Sequence, residues 1–108
     1  VGKTEEELKA AGIEYKVGKF TMMANSRARA TFDDQGFVKI LADKKTDEIL
    51  GVHILGDNAG EMISIAQLAM SYRSTCEDIV RTVFPHPTLG EAFKEACSLA
   101  WENKTINM

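Results

Sequence analysis

The chain has 108 residues, enough for one domain that hides roughly two-thirds of its unfolded surface. Apolar residues make up 44% and charged residues 27%, the composition of an ordinary globular domain, and a net charge of −3 argues against a nucleic-acid footprint. No apolar run approaches the ~18 residues of a membrane helix, no signal peptide is expected, and Val1 in place of methionine is expected of a fragment or a processed piece.

Thr4-Glu5-Glu6-Glu7 reads as a capping box, with Leu8, Ala10 and Ala11 behind it and Gly12 as the stop, so a short helix comes first. Ile13 to Met22 is rich in β-formers and alternates with charge, which predicts a strand. Arg27 to Phe32 also alternates and predicts a second strand. Asp33-Asp34-Gln35-Gly36 would turn the chain into the strand Phe37–Ala42, and a polar turn over Asp43–Glu48 leads to the strand Ile49–Leu55. Three or four strands in meander order imply an antiparallel sheet. Helices follow. Asn58, with Glu61 three residues on, caps a helix through Met62–Tyr72 that is apolar on more than one face. Thr75 opens a short helix to about Val83. Thr88 opens the last, to about Glu102, with Leu89, Phe93, Ala96 and Ala100 on one stripe. Strands then helices predict an α+β fold, an antiparallel sheet meander with helices packed on one face.

Several motifs carry little chemistry. Gly2-Lys3-Thr4 resembles the end of a phosphate loop but lacks the upstream glycines whose amides would cradle the anion, and three glutamates follow. Gly51, Gly56 and Gly60 have the wrong spacing for a dinucleotide fingerprint and read as bulge and turn residues. Asn103-Lys104-Thr105 is a sequon with nothing secretory around it, Met22-Met23 reads as packing, and His53 as a strand residue. Cys76 and Cys97 each fall in a helical pattern, far apart in sequence, and are expected as reduced, packed thiols. No Cys-x-x-Cys or histidine pair offers a metal set, so no metal is expected.

One stretch stands apart: "FPHPTLGEA", Phe84 to Ala92. It can be read as helix punctuation. Thr88 would then accept from the Glu91 amide, Glu91 would reach back to the Thr88 amide, and the prolines would keep helix from starting earlier. It can equally be read as half of an active site. Pro85 and Pro87 restrict the backbone around His86, and Glu91 on the first helical turn can curl back to the imidazole. A carboxylate on one ring nitrogen orients a histidine for acid–base work. The chain has no nucleophile elbow, metal set or phosphate loop to go with it, so such a dyad needs reactive atoms from another domain or chain. A binding module in which His86 is incidental, and a small hydrolase lacking an evident nucleophile, are the rival readings.

"HPTLGEAFKEA", His86 to Ala96, resembles the C-terminal signature of the dihydrolipoamide dehydrogenase family. "VGKTEEELKAAGIEYKVGKF", "ANSRARA", "GFVKILADKKTDEILGVHILGDNAGEMI" and "CEDIVRTVFPHPTLGEAFKEA" resemble successive stretches of the same interface domain. The His-Pro-Thr with its later glutamate is shared across flavin disulfide reductases, while Ala92–Ala96 resembles the lipoamide branch. The resemblance implies that residues 1–108 are the C-terminal dimerisation domain of a larger homodimeric enzyme with FAD and NAD as cofactors, inactive as an isolated domain. It implies that His86 enters the partner subunit's active site as acid–base, that Glu91 holds it, and that the backbone of a cis His86-Pro87 bond touches the partner's flavin. It also implies a lipoyl-bearing acyltransferase of a 2-oxoacid dehydrogenase complex as a partner, in a mitochondrial matrix or bacterial cytoplasm. On that reading the apolar helix faces around Met62–Tyr72 and Leu89–Trp101 would be buried between subunits. The sequence departs from the family at Phe84-Pro85, where relatives have His-Ala, and neither Cys76 nor Cys97 matches the redox pair.

Overall fold

The computed structural model describes residues 1–32 and 35–102. Two stretches singled out in the sequence therefore lie wholly or partly outside the described residues: the sequon Asn103-Lys104-Thr105, and the first half of the turn Asp33-Asp34-Gln35-Gly36. Helix α1 (Glu5–Ala10) precedes strand β1 (Tyr15–Thr21), a 3₁₀ turn (Met22–Ala24) and helix α2 (Ser26–Ala30). Strands β2 (Phe37–Asp43) and β3 (Ile49–Leu55) follow, then helices α3 (Ala59–Ser71), α4 (Cys76–Val80) and α5 (Glu91–Glu102). The strands form an antiparallel sheet in the order β1-β2-β3. The α+β architecture is thus the expected one.

Alternation along the strands decides the faces. Phe20, Val38, Ile40 and Val52 join Ala66 of α3 and Phe93 and Ala96 of α5 in one buried cluster. Phe20 and Phe93 are almost wholly removed from water, each worth about 1.5–3 kcal/mol of burial. The opposite face presents Lys19, Lys39 and His53 as directly paired neighbours across the three strands. Helix α1 lies on that side, where Glu5 meets Lys39 at 2.7 Å. The capping box of α1 forms as read: the Glu7 amide donates to Thr4 Oγ1 at 3.2 Å and the Thr4 amide donates to Glu7 Oε1 at 3.1 Å. Thr75 and Asp78 build the same box on α4. Asp47, in the β2–β3 turn, holds that helix to the sheet, accepting from Lys16 Nζ at 2.6 Å and from the Glu77 amide at 2.8 Å.

Four expectations need correction. Arg27 to Phe32 is not a strand; Ser26–Ala30 is a helical turn and a half. Over so few residues an Arg-Ala alternation fits either period, and the choice falls to Asn25, whose Oδ1 caps the helix by accepting from the Ala28 amide at 2.9 Å. Asn58 makes no side-chain cap bond at the start of α3. Helix α5 starts at Glu91 rather than Thr88, because the amides of Glu91, Ala92 and Phe93 bond three residues back, to Thr88, Leu89 and Gly90. Finally, α5 spends its apolar stripe inside the domain: Phe93, Ala96, Cys97 and Ala100 are buried there. Exposed apolar side chains lie at Leu68 on α3 and at Tyr72, its C-cap residue, instead.

Gly18 explains how α5 lies so close to β1. A Cβ at that position would run into the Ala96 carbonyl and the Ala100 amide of the helix. Gly51 plays a related part, since a Cβ there would strike the Lys3 carbonyl of the N-terminal segment bridged to it. The sheet slips register beside it, between Leu41 and Ala42, in keeping with its reading as a bulge residue.

Candidate functional site

The loop between α4 and α5 carries the singled-out motif, and Pro85, His86 and Pro87 are all exposed. The His86-Pro87 peptide is cis. Glu91, the first residue of α5, points back into the loop. His86 Nδ1 lies 3.0 Å from Glu91 Oε1 and 3.1 Å from Oε2. A carboxylate only accepts, so Nδ1 carries the proton and the neutral ring presents Nε2 as its lone-pair atom. Among the described residues Nε2 has no hydrogen-bond partner, and the side chain is 60% exposed against 13% for Glu91. One buried-side carboxylate therefore orients an outward-facing imidazole.

The same carboxylate also serves the helix. Glu91 Oε1 accepts from the Thr88 amide at 2.9 Å. That is half of the predicted capping box; the other half is missing, because the Thr88 hydroxyl donates to the Pro85 carbonyl at 2.9 Å instead. The two readings of this stretch are not exclusive. Capping fixes Glu91, and the fixed Glu91 fixes His86.

Beside the loop, Ile65, Thr82, Val83, Phe84, Pro85, Thr88 and Gly90 line an open, mostly apolar recess of about 420 Å³. Phe84 packs against the core and Lys94 Nζ sits 5.9 Å from its ring centroid, within cation–π range. His53 stands well away from this loop, on the sheet, where Nε2 donates to the Lys3 carbonyl at 2.9 Å. Cys76 and Cys97 are free and buried. Burial, with the Cys76 thiol as a hydrogen-bonding neighbour, pushes the Cys97 thiol well above its ordinary range, which makes it inert. Met22 is buried, whereas Met23 is 63% exposed and so does not pack as read. Reading the sequence missed Asn25, a buried side chain that donates from Nδ2 to the Thr88 carbonyl at 3.0 Å. Its only sequence signal is Asn25-Ser26 as a helix start.

The family model for the pyridine nucleotide-disulphide oxidoreductase dimerisation domain matches residues 1–97. The chain belongs to that family. This dimerisation domain is 59% identical over 107 residues to the mitochondrial dihydrolipoyl dehydrogenase of Caenorhabditis elegans and 58% identical to that of Homo sapiens, in each case over 99% of the chain. It is 61% identical to the dihydrolipoyl dehydrogenase of Trypanosoma brucei brucei, also over 99% of the chain. It spans only 21–22% of the length of these relatives. Among solved structures, the HOCl-induced flavoprotein disulfide reductase RclA of Escherichia coli superposes with a TM-score of 0.86 at 31% identity, over 92% of this chain and 23% of that one. LpdA of Mycobacterium tuberculosis superposes at 0.82 with 25% identity, over 90% and 21%.

Proposed function

We propose that residues 1–108 are the dimerisation domain of a mitochondrial dihydrolipoyl dehydrogenase, and that the domain lends His86 to the active site of the partner subunit in a homodimer. The observation that carries this reading is the Nδ1–carboxylate contact of His86 and Glu91 on an exposed loop, with Nε2 turned outward. The fold match to flavoprotein disulfide reductases and the mitochondrial relatives support it.

The chemistry follows from the geometry. Nε2 takes a proton from a thiol of dihydrolipoamide, and the resulting thiolate is the species that attacks a disulfide. Glu91, on the other ring nitrogen, holds the productive tautomer and stabilises the imidazolium that forms. FAD and NAD, when bound by the rest of the enzyme, would accept the electrons. This chain fits such an arrangement in that His86 and Pro87 are both exposed, where the flavin of the other subunit would meet them, while it has no nucleotide-binding fingerprint of its own. The exposed Leu68 on α3 and Tyr72 at its C-cap suit a subunit contact. A lipoyl-bearing acyltransferase supplies the dihydrolipoamide in this scheme.

His86→Gln in the full-length enzyme tests the proposal. Dihydrolipoamide oxidation should fall by about 10²–10⁴ in kcat, with the dimer and its flavin retained. Unchanged turnover would reduce the motif to a helix cap.

A further inference from the structure

We infer that Asn25 is a positioning residue for the His86–Glu91 dyad, an inference that rests on the role proposed for those two residues. Asn25 is 3% exposed and lies 63 positions before Thr88 in the chain. Its amide works in two directions at once. Oδ1 accepts from the Ala28 amide at 2.9 Å and caps α2, while Nδ2 donates to the Thr88 carbonyl at 3.0 Å. The partners fix the orientation of the amide, since a backbone N–H only donates and a carbonyl only accepts.

The grip falls on the turn that carries the dyad. The carbonyl held by Asn25 belongs to the residue whose amide donates to Glu91 Oε1 and whose hydroxyl donates to the Pro85 carbonyl. Thr88 thus has its amide, hydroxyl and carbonyl all engaged, the carbonyl accepting from the Glu91 amide at 3.4 Å as well as from Asn25, and three of these four bonds close the loop locally. Among the described residues the Asn25 bond is the one of these four that reaches a distant segment, and it adds a directional tie to the packing of Leu89 against the core. Without it, the Pro85–Glu91 loop could shift as a unit and carry Nε2 with it. A displacement of about 1 Å at a reacting group costs on the order of 10²-fold in rate.

Few side chains can replace Asn25. An aspartate keeps the cap acceptor but turns a carboxylate oxygen toward the Thr88 carbonyl oxygen. A serine keeps a capping hydroxyl but is too short to reach both partners.

The test compares Asn25→Asp, Asn25→Ser and His86→Gln in the full-length enzyme. The readouts are kcat against pH for dihydrolipoamide oxidation, flavin reduction by NADH, the melting temperature and a crystal structure of the Asn25→Asp variant. Both Asn25 variants should lose about tenfold to a hundredfold in kcat, with a shifted pH profile. Flavin reduction by NADH, which needs no proton transfer at His86, should stay within twofold. The crystal structure should show the Pro85–Glu91 loop displaced. An unchanged kcat and pH profile in either folded variant would overturn the inference. So would an equal fall in both reactions, or, should Asn25→Asp fail to fold, a normal kcat and profile in Asn25→Ser. If His86→Gln itself keeps full activity, the reading of the dyad fails. If His86→Gln is impaired and the Asn25 variants are not, only the role of Asn25 fails.

Discussion

Glu91→Gln separates the two duties of one carboxylate. In the native loop Glu91 accepts from the Thr88 amide at 2.9 Å and from His86 Nδ1 at 3.0 and 3.1 Å. The amide of the variant keeps one acceptor oxygen, which can hold the Thr88 N–H. Its NH₂ then stands in the place of Oε2 as a donor opposed to the Nδ1–H, and the one remaining oxygen is shared between Nδ1–H and the Thr88 N–H, so the tautomer is held less firmly and the ring loses a negative neighbour. A hydrogen bond to a charged group is worth about 1.5–3 kcal/mol and a neutral one about 0.5–1.5 kcal/mol. The His86 side chain is 60% exposed, so solvent screening keeps the difference near the low end, about 1 kcal/mol. That alone gives roughly five- to tenfold in rate, and a mis-set tautomer adds more. We expect kcat for dihydrolipoamide oxidation by the full-length dimer to fall about tenfold to a hundredfold, with the unfolding free energy changed by less than ~1 kcal/mol because the cap bond survives. Steady-state turnover and thermal denaturation measured on the same preparation decide it. An unchanged kcat, or a loss matched by an equal loss of folded enzyme, would refute the assignment of Glu91 to His86.

Two further outcomes follow from the fold. Burial raises the Cys97 thiol above its unfolded value, so the folded chain keeps a proton that the unfolded chain releases. Stability should therefore be level below an unfolded thiol value of about 8.5 and decline as pH rises beyond it, and Cys97→Ala should flatten that alkaline decline in urea titrations; an identical decline in the variant would rule Cys97 out as its source. Gly18→Ala should destabilise the chain by about 1–3 kcal/mol or more, read as a lower urea midpoint, because the added methyl meets the backbone of α5 rather than a side chain that can turn aside. A midpoint equal to the parent's would mean that the helix can back away from β1 freely.

What could be read from the sequence was local. The boxes Thr4/Glu7 and Thr75/Asp78 join residues three apart, β1 carries its own alternation with charge, and β3 is a run of apolar and β-branched residues. His86 and Glu91 are five apart, so a loop stiffened by two prolines and the first turn of a helix suffice to bring them together. The resemblance carried by those residues anticipated the family. What failed was short or depended on distant neighbours. Arg27–Phe32 alternates over too few residues to separate strand from helix, and the capping bond of Asn25 chose helix. The apolar stripe of α5 was legible, but not whether it faced the sheet or another subunit; a bare glycine at Gly18 opens the sheet to it. Thr88 showed half the promised cap because its hydroxyl found a nearer acceptor at Pro85. Asn25 and Thr88, 63 positions apart, meet only once the chain has folded. Sequence determined most of the elements and the His86–Glu91 contact because hydrogen bonds between near neighbours form at little loop-closure cost. Tertiary structure decided which faces are covered and what anchors the loop, because those contacts exist only after distant segments pack.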